Sequence, residues 1–126
     1  MLTIFAAVPF YNNQDSIART IDSLKQQTYP LSGILVINDG SKSLPAWLIN
    51  QEGISLFSFN TNRGRGAVRA FAIEQAHTDL ILFCDASIAL PTNFAAQAAE
   101  WFAHPQVAGV CGRYRYENKG KIIDRW

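Results

Sequence analysis

Cysteine is scarce in this chain. Cys84 and Cys111 are the only two, and no Cys-x-x-Cys spacing marks a structural metal site. Both lie in apolar, strand-like runs and read as buried, reduced thiols; a disulfide is the alternative if their strands are neighbours, but a chain of this size does not need one. Long hydrophobic runs are missing too. No stretch approaches the roughly 20 apolar residues that span a bilayer. No basic region precedes the apolar start Met1-Leu2-Thr3-Ile4, so it does not read as a signal peptide. The expected location is the cytoplasm, or the cytoplasmic face of a membrane. Neither sign of charge dominates: 11 Lys and Arg stand against 10 Asp and Glu. That near-balance gives no electrostatic case for nucleic acid or for an anionic membrane as partner. A Walker A sequence, internal repeats, low-complexity stretches and linkers are all absent.

What is present suits one compact domain. Of 126 residues, 48% are hydrophobic and 17% charged, which is enough apolar material for a real core. Residues 2–8 read as a first strand, closed by Pro9. Asn13 reads as the N-cap of a helix carrying Ile17, Ile21 and Leu24 at helical spacing, which must end before Pro30. Gly33–Asn38 is a second strand. Ser43 would cap a short helix with Pro45 in its first turn and Trp47 and Leu48 inside. Residues 54–59, 80–84 and 107–111 give three further strands. Between them, Val68, Phe71, Ala72 and Ala76 mark one helix. Phe94, Ala98, Trp101 and Phe102 mark another, capped by Thr92 and stopped at His104-Pro105. In the tail, Arg113, Tyr114, Arg115 and Tyr116 alternate, and Asn118-Lys119-Gly120 is a turn signal, so residues 113–126 read as a hairpin. Strands alternating with helices predict a largely parallel sheet, here in a single unit over residues 1–126.

Two apolar runs stop at an aspartate: Ile34 to Asn38 runs into Asp39-Gly40-Ser41, and Leu80 to Cys84 into Asp85-Ala86-Ser87. Ligands of open α/β sheets bind just outside the carboxyl ends of such strands, so two carboxylates are expected at the ligand edge. Asp39 suits an acceptor for a base N–H or for ribose hydroxyls; the bland alternative is an ordinary Asp-Gly turn. Pro9-Phe10-Tyr11-Asn12 offers a ring to stack on a nucleobase, or merely a loop with core-packing aromatics. Arg63, Arg65 and Arg69 cluster where a strand gives way to a helix N-terminus, a natural place for a diphosphate; a solvated basic helix start is the alternative. Gly64-x-Gly66 with Asp85 downstream half-mimics a dinucleotide fingerprint. Arg69 replaces its third glycine and the motif falls in the third βα unit, so a nicotinamide or flavin site is not expected. An acid-x-acid pair at a strand end would hold a divalent metal against a diphosphate. Here the second position is Ser87, which leaves Asp85 as a weak ligand for Mg²⁺ or Mn²⁺. His77 and His104 sit at helix ends, and no nucleophile–base pairing is readable.

Taken in order, these segments resemble the family 2 glycosyltransferases of the GT-A fold. The likeness runs through Val8-Pro9-Phe10-Tyr11-Asn12, Gln27-Thr28-Tyr29-Pro30 and Val36-Ile37-Asn38-Asp39-Gly40-Ser41. It continues with Asn62-Arg63-Gly64 and Arg69, then Ile81 to Ser87, Pro91 and Phe94, and Val107 to Gly112, so it covers roughly residues 3–113. The resemblance implies an α/β, Rossmann-like, three-layer α/β/α domain with a mostly parallel sheet, of the nucleotide-diphospho-sugar transferase type, truncated. It implies a UDP- or GDP-linked sugar as partner. Pro9 and Tyr11 would line the base pocket, Asp39 would accept from the base, and Arg69 would lie near the base or diphosphate. Asp85, with Ala86, would contact the ribose or the metal. The implied reaction inverts configuration in one displacement: a carboxylate deprotonates the acceptor hydroxyl while Mg or Mn steadies the departing nucleoside diphosphate.

Two departures qualify that picture. Ser87 stands where the family's main metal-binding aspartate belongs. No acid matches the catalytic base, since Glu117 and Asp124 lie in the tail outside any matching motif. The chain therefore reads as a donor-binding half of a transferase, with a non-catalytic nucleotide-binding relic or module of the same fold as the alternative. Apolar surface left uncovered by a missing half would favour self-association, through residues 114–126.

Overall fold

A computed structural model of the chain describes residues 1–115. In chain order its elements are β1 (Ile4–Phe10), α1 (Ile17–Lys25), β2 (Gly33–Asn38), a 3₁₀ turn (Ala46–Leu48), β3 (Ile54–Ser58), α2 (Arg65–Gln75), β4 (Leu80–Phe83) and α3 (Phe94–Trp101). The strands form one sheet in the order β3-β2-β1-β4, and every pairing is parallel. The fold is the three-layer α/β arrangement expected of the sequence.

Alternation along the central strands makes the two layers. Ala6, Val8 and Phe10 of β1 and Ile34 and Val36 of β2 face Ile17, Ile21 and Leu24 of α1. Ala7, Leu35 and Ile37 point the other way, against Val68 and Ala72 of α2. Both faces of β1 and β2 are thus covered, which is why their sequences read as unbroken apolar runs. Each fully buried Ile or Leu contributes about 1.5–3 kcal/mol over exposure, so the α1 stripe alone outweighs any local propensity.

Several sequence expectations shift. Pro9 does not close β1; the strand runs on to Phe10, with Pro9 opposite Ile37. Phe10 offers its carbonyl to the Asp39 N–H on the β2 side, so Pro9 faces the β4 side. The ladder there already ends at Ala7 opposite Phe83, and the missing donor of Pro9 is not needed. Asn13 accepts from the N–H groups of Ser16 and Ile17 through its backbone carbonyl, but the N-cap is Ser16. Trp47 and Trp101 are exposed rather than inward. Residues 107–111 form no strand. A strand exists only against a ladder partner, and this segment has none among the described residues. Cys111 is accordingly exposed, whereas Cys84 is buried as expected and both are free. Of the predicted hairpin at 113–126, residues 113–115 carry no regular structure, and the remainder lies outside the described residues.

Two polar clamps join segments distant in sequence. Gln27 receives the Ala95 N–H on Oε1 at 2.9 Å and donates from Nε2 to the carbonyls of Pro91 and Ser23. The N-cap of α3 is Asn93, not Thr92, and its side chain makes no capping bond. Gln27 therefore satisfies an orphan donor of α3 from a distance. At the amino ends of β1 and β4, Asp79 Oδ2 accepts from the Thr3 N–H at 2.8 Å and from Thr3 Oγ1 at 2.9 Å. The Asp79 N–H returns a bond to Thr3 Oγ1.

These Thr3 bonds hold the Asp79 carboxyl below its ordinary value of 3.8. A carboxyl whose pKa is lowered by folding stabilises the fold above its unfolded value, and the contribution disappears as pH falls through the lowered one. Asp79→Asn is therefore expected to lower stability at neutral pH, with the gap to the parent closing below about pH 3.8. Urea melts across that range measure it, and a gap independent of pH would refute this reading.

Candidate functional site

The chain order of the sheet reverses at β1. From β1 the connections move outward through β2 to β3, then α2 returns the chain to β4 on the far side of β1. That reversal is a topological switch point, and the crevice beyond the carboxyl ends of β1 and β4 is where such sheets take ligands. A cleft of about 380 Å³ lies there. Its walls come from four places: Pro9 and Phe10 at the end of β1 with Tyr11 and Asn13 beyond it; Asp39 after β2; Asn62, Gly64, Arg65 and Val68 at the start of α2; and Asp85, Ala86 and Ser87 after β4.

Asp39 is 5% exposed, and its carboxylate is engaged. Oδ1 accepts the Arg63 N–H at 2.7 Å and Oδ2 the Gly64 N–H at 3.0 Å. A buried carboxylate needs such partners; each bond to a charged acceptor contributes about 1.5–3 kcal/mol. Asp39 thereby fastens the β3–α2 loop to the end of β2. Gly40 makes the approach physically attainable. Its φ is +86°, and a Cβ there would fall 2.4 Å from the Asn62 nitrogen and 2.5 Å from the Thr61 carbonyl carbon.

The surrounding turns are bonded just as closely. Asn38 folds over its own turn, accepting the Ser41 N–H on Oδ1 and donating to the Ser41 carbonyl and Ser58 Oγ. Ser41 Oγ accepts the Asn12 N–H at 2.8 Å, joining the β2 turn to the β1 loop. Asn12 sits at φ +54°, a conformation Asn tolerates better than most residues. Asn13 Oδ1 holds the Tyr11 N–H, while the Tyr11 side chain stays half exposed over the cleft. Ser16 Oγ donates to the Ala86 carbonyl at 2.8 Å, which pins the turn after β4 to the start of α1.

Asp85 is half-buried, and its carboxylate makes no hydrogen bond or ion pair among the described residues. Beside it Cys84 is buried, and burial first, then the Asp85 charge, push its thiol up to about 12. A thiol held neutral in this way is no nucleophile near neutral pH. Metal ligation is equally thin. Among the described residues no group of three or more His, Cys, Asp or Glu side chains converges. The cleft supplies one free carboxylate and the Ser87 hydroxyl, and that donor set does not fit a resident Mg²⁺ or Mn²⁺ centre.

Of the residues singled out in the sequence, Pro9, Tyr11, Asp39, Asp85 and Ala86 all line the cleft, and Arg69 does not. Its guanidinium lies over the Phe83 ring, 6.0 Å from the centroid. Arg65 lines the cleft instead, as do Asn13 and Asn62. The signal for Arg65 was present in the chain: it directly follows Gly64 and opens α2, whereas Arg69 sits a full turn, about 6 Å, further along the axis.

Comparison with known proteins then decides the family. The sequence model of glycosyl transferase family 2 matches residues 6–126. The chain belongs to glycosyl transferase family 2. A curated relative is the poly-beta-1,6-N-acetyl-D-glucosamine synthase of Staphylococcus aureus (strain MSSA476), 28% identical over 120 residues. That alignment covers 91% of this chain and 29% of the synthase. Among solved structures, the mannosyltransferase PcManGT from Pyrobaculum calidifontis, in complex with GDP-Man and Mn²⁺, matches with a TM-score of 0.75 at 23% identity. The match covers 84% of this chain and 34% of that one. S. aureus TarS 1-349 in complex with UDP-GlcNAc matches with a TM-score of 0.71 at 24% identity, over 81% of this chain and 31% of TarS. These likenesses establish the GT-A fold for this family 2 domain, which spans under a third of the curated relative it matches.

The Gly40 contact is open to a direct test. Gly40→Ala forces a side chain into a left-handed backbone, at a cost of order 1–3 kcal/mol, and drives it into the 61–62 backbone as well. Urea denaturation should show a loss of at least about 1 kcal/mol; stability equal to the parent would mean the two loops do not pack as described.

Proposed function

We propose that this family 2 domain binds a nucleoside-diphosphate sugar, UDP- or GDP-linked, in the cleft beyond β1 and β4, as the donor-binding part of a glycosyltransferase. The observation that carries the reading is the convergence of Pro9, Tyr11, Asp39, Asp85 and Ala86, from three separate strand ends, on one cleft at the switch point. The half-exposed Tyr11 ring is suited to stack on the base. Asp39 is held rigid by the Arg63 and Gly64 N–H groups, and each of its oxygens keeps a second lone pair for a base N–H. Asp85, whose carboxylate has no partner among the described residues, suits the ribose hydroxyls.

Transfer to an acceptor, with inversion in a single displacement, needs a general base poised over the acceptor hydroxyl. Within the described residues the cleft acids are Asp39 and Asp85, and both are assigned above to the nucleotide. The base is therefore expected from chain beyond residues 1–115, in keeping with relatives more than three times as long. The same observation favours a second reading, a nucleotide-binding module of this fold without transfer activity. Among the described residues no helix is long and apolar enough to cross a membrane, and action at the cytoplasmic side remains part of the proposal.

Calorimetric titration with a panel of nucleoside diphosphates tests the donor site. One nucleotide should bind, and Tyr11→Ala should weaken it by about 0.5–1.5 kcal/mol, the range for an aromatic pair. No binding of any nucleotide at millimolar concentration would sink the proposal. Turnover of a radiolabelled nucleotide sugar separates the transferase from the module. Ser87→Asp supplies the second carboxylate that a divalent-ion site requires. Mn²⁺ should then bind measurably by calorimetry where the parent shows none, and unchanged Mn²⁺ binding would show that position 87 does not face the ion.

A further inference from the structure

Three arginines stand at the start of α2, and the structure engages them differently. Arg63 is stacked on Phe59, its Cζ 4.7 Å from the ring centroid. Arg69 is turned onto Phe83. Arg65 lines the cleft and makes no hydrogen bond, ion pair or ring contact among the described residues. It is also the first residue of α2, whose N-cap Gly64 offers no side-chain bond and whose first turn holds no acid. A free guanidinium beside uncapped N–H groups carries positive charge into the cleft from the α2 side.

The β4 side lacks what a metal would need. Ser87 removes one carboxylate, and Asp85 alone does not make a resident site. A diphosphate held here still requires neutralisation. We propose that Arg65 supplies it, so that this chain binds a nucleoside diphosphate without a divalent cation. The proposal rests on the donor-site reading above. Guanidinium chemistry fits the role: its charge is permanent, and its planar fork of donors matches two phosphate oxygens at once.

The test is calorimetry of UDP and GDP binding to the 126-residue chain, in EDTA and in Mn²⁺. For the nucleotide that binds, affinity in EDTA should lie within about threefold of that in Mn²⁺, and Arg65→Ala should weaken it at least about tenfold in EDTA, one charge-assisted contact. Arg65→Lys, which keeps the charge but loses the fork, should fall between. Circular dichroism of each variant checks that the exposed substitution leaves the fold intact. Binding in Mn²⁺ alone overturns the proposal and leaves the donor site standing. So does an unchanged affinity in Arg65→Ala, or a loss confined to Arg69→Ala. Absence of binding in both buffers overturns the donor-site reading and this proposal with it.

Discussion

The carboxylate of Asp39 is the hinge of the molecule's working edge. It ends β2, and it accepts the two N–H groups that lead into α2. Without it, the loop between β3 and α2 loses its two bonds to the end of β2, the ones nearest to Asn62, Gly64 and Arg65 in the cleft. Gly40 is its necessary companion, because only a residue without Cβ lets the 61–62 backbone come so near. The two residues form one device: a buried anion that draws the loop in, and a vacancy that lets it arrive.

The rest of the fold brings other loops to that device. Parallel strands with helices on both faces leave every strand's carboxyl end on the same edge. The return of α2 across β1 then opens a crevice between the ends of β1 and β4. Ser41 ties the β1 loop to the β2 turn, and Ser16 ties the β4 turn to α1. Three loops that are distant in sequence are thus held by backbone-directed bonds, independent of any ligand. Such a site is largely preformed, which lowers the ordering cost of binding.

Much of this was legible in the chain. β2 was read with its observed ends, and the α1 stripe of Ile17, Ile21 and Leu24 is buried as expected, because apolar periodicity reports burial directly. The strand-end aspartates located the cleft because a parallel sheet leaves no other edge for them. What failed was whatever depends on a tertiary neighbour. Residues 107–111 have strand composition but no ladder partner among the described residues. Trp47 and Trp101 sit at inward-reading positions and yet are exposed. Gln27, which bonds the first turn of α3, carries no local sign of that task. Arg69 was preferred to Arg65 by motif, and only the position of Phe83 shows which of the two is drawn away.

The charge arrangement of the cleft follows from the same bonds. Asp39 and Asp85 both line it, yet they are not equivalent. Asp39's charge is compensated by two N–H donors, whereas Asp85 has no partner among the described residues. Arg65 is likewise unpaired, while its neighbours Arg63 and Arg69 lie over aromatic rings. The net result, among the described residues, is one unmet acceptor after β4 and one unmet cation at the head of α2. The ligand proposed above would offer hydroxyl donors to the one, anionic oxygens to the other and a flat face to Tyr11. A ribose linked to a diphosphate and a base has those three parts joined in one molecule, and a simple anion or a simple sugar does not.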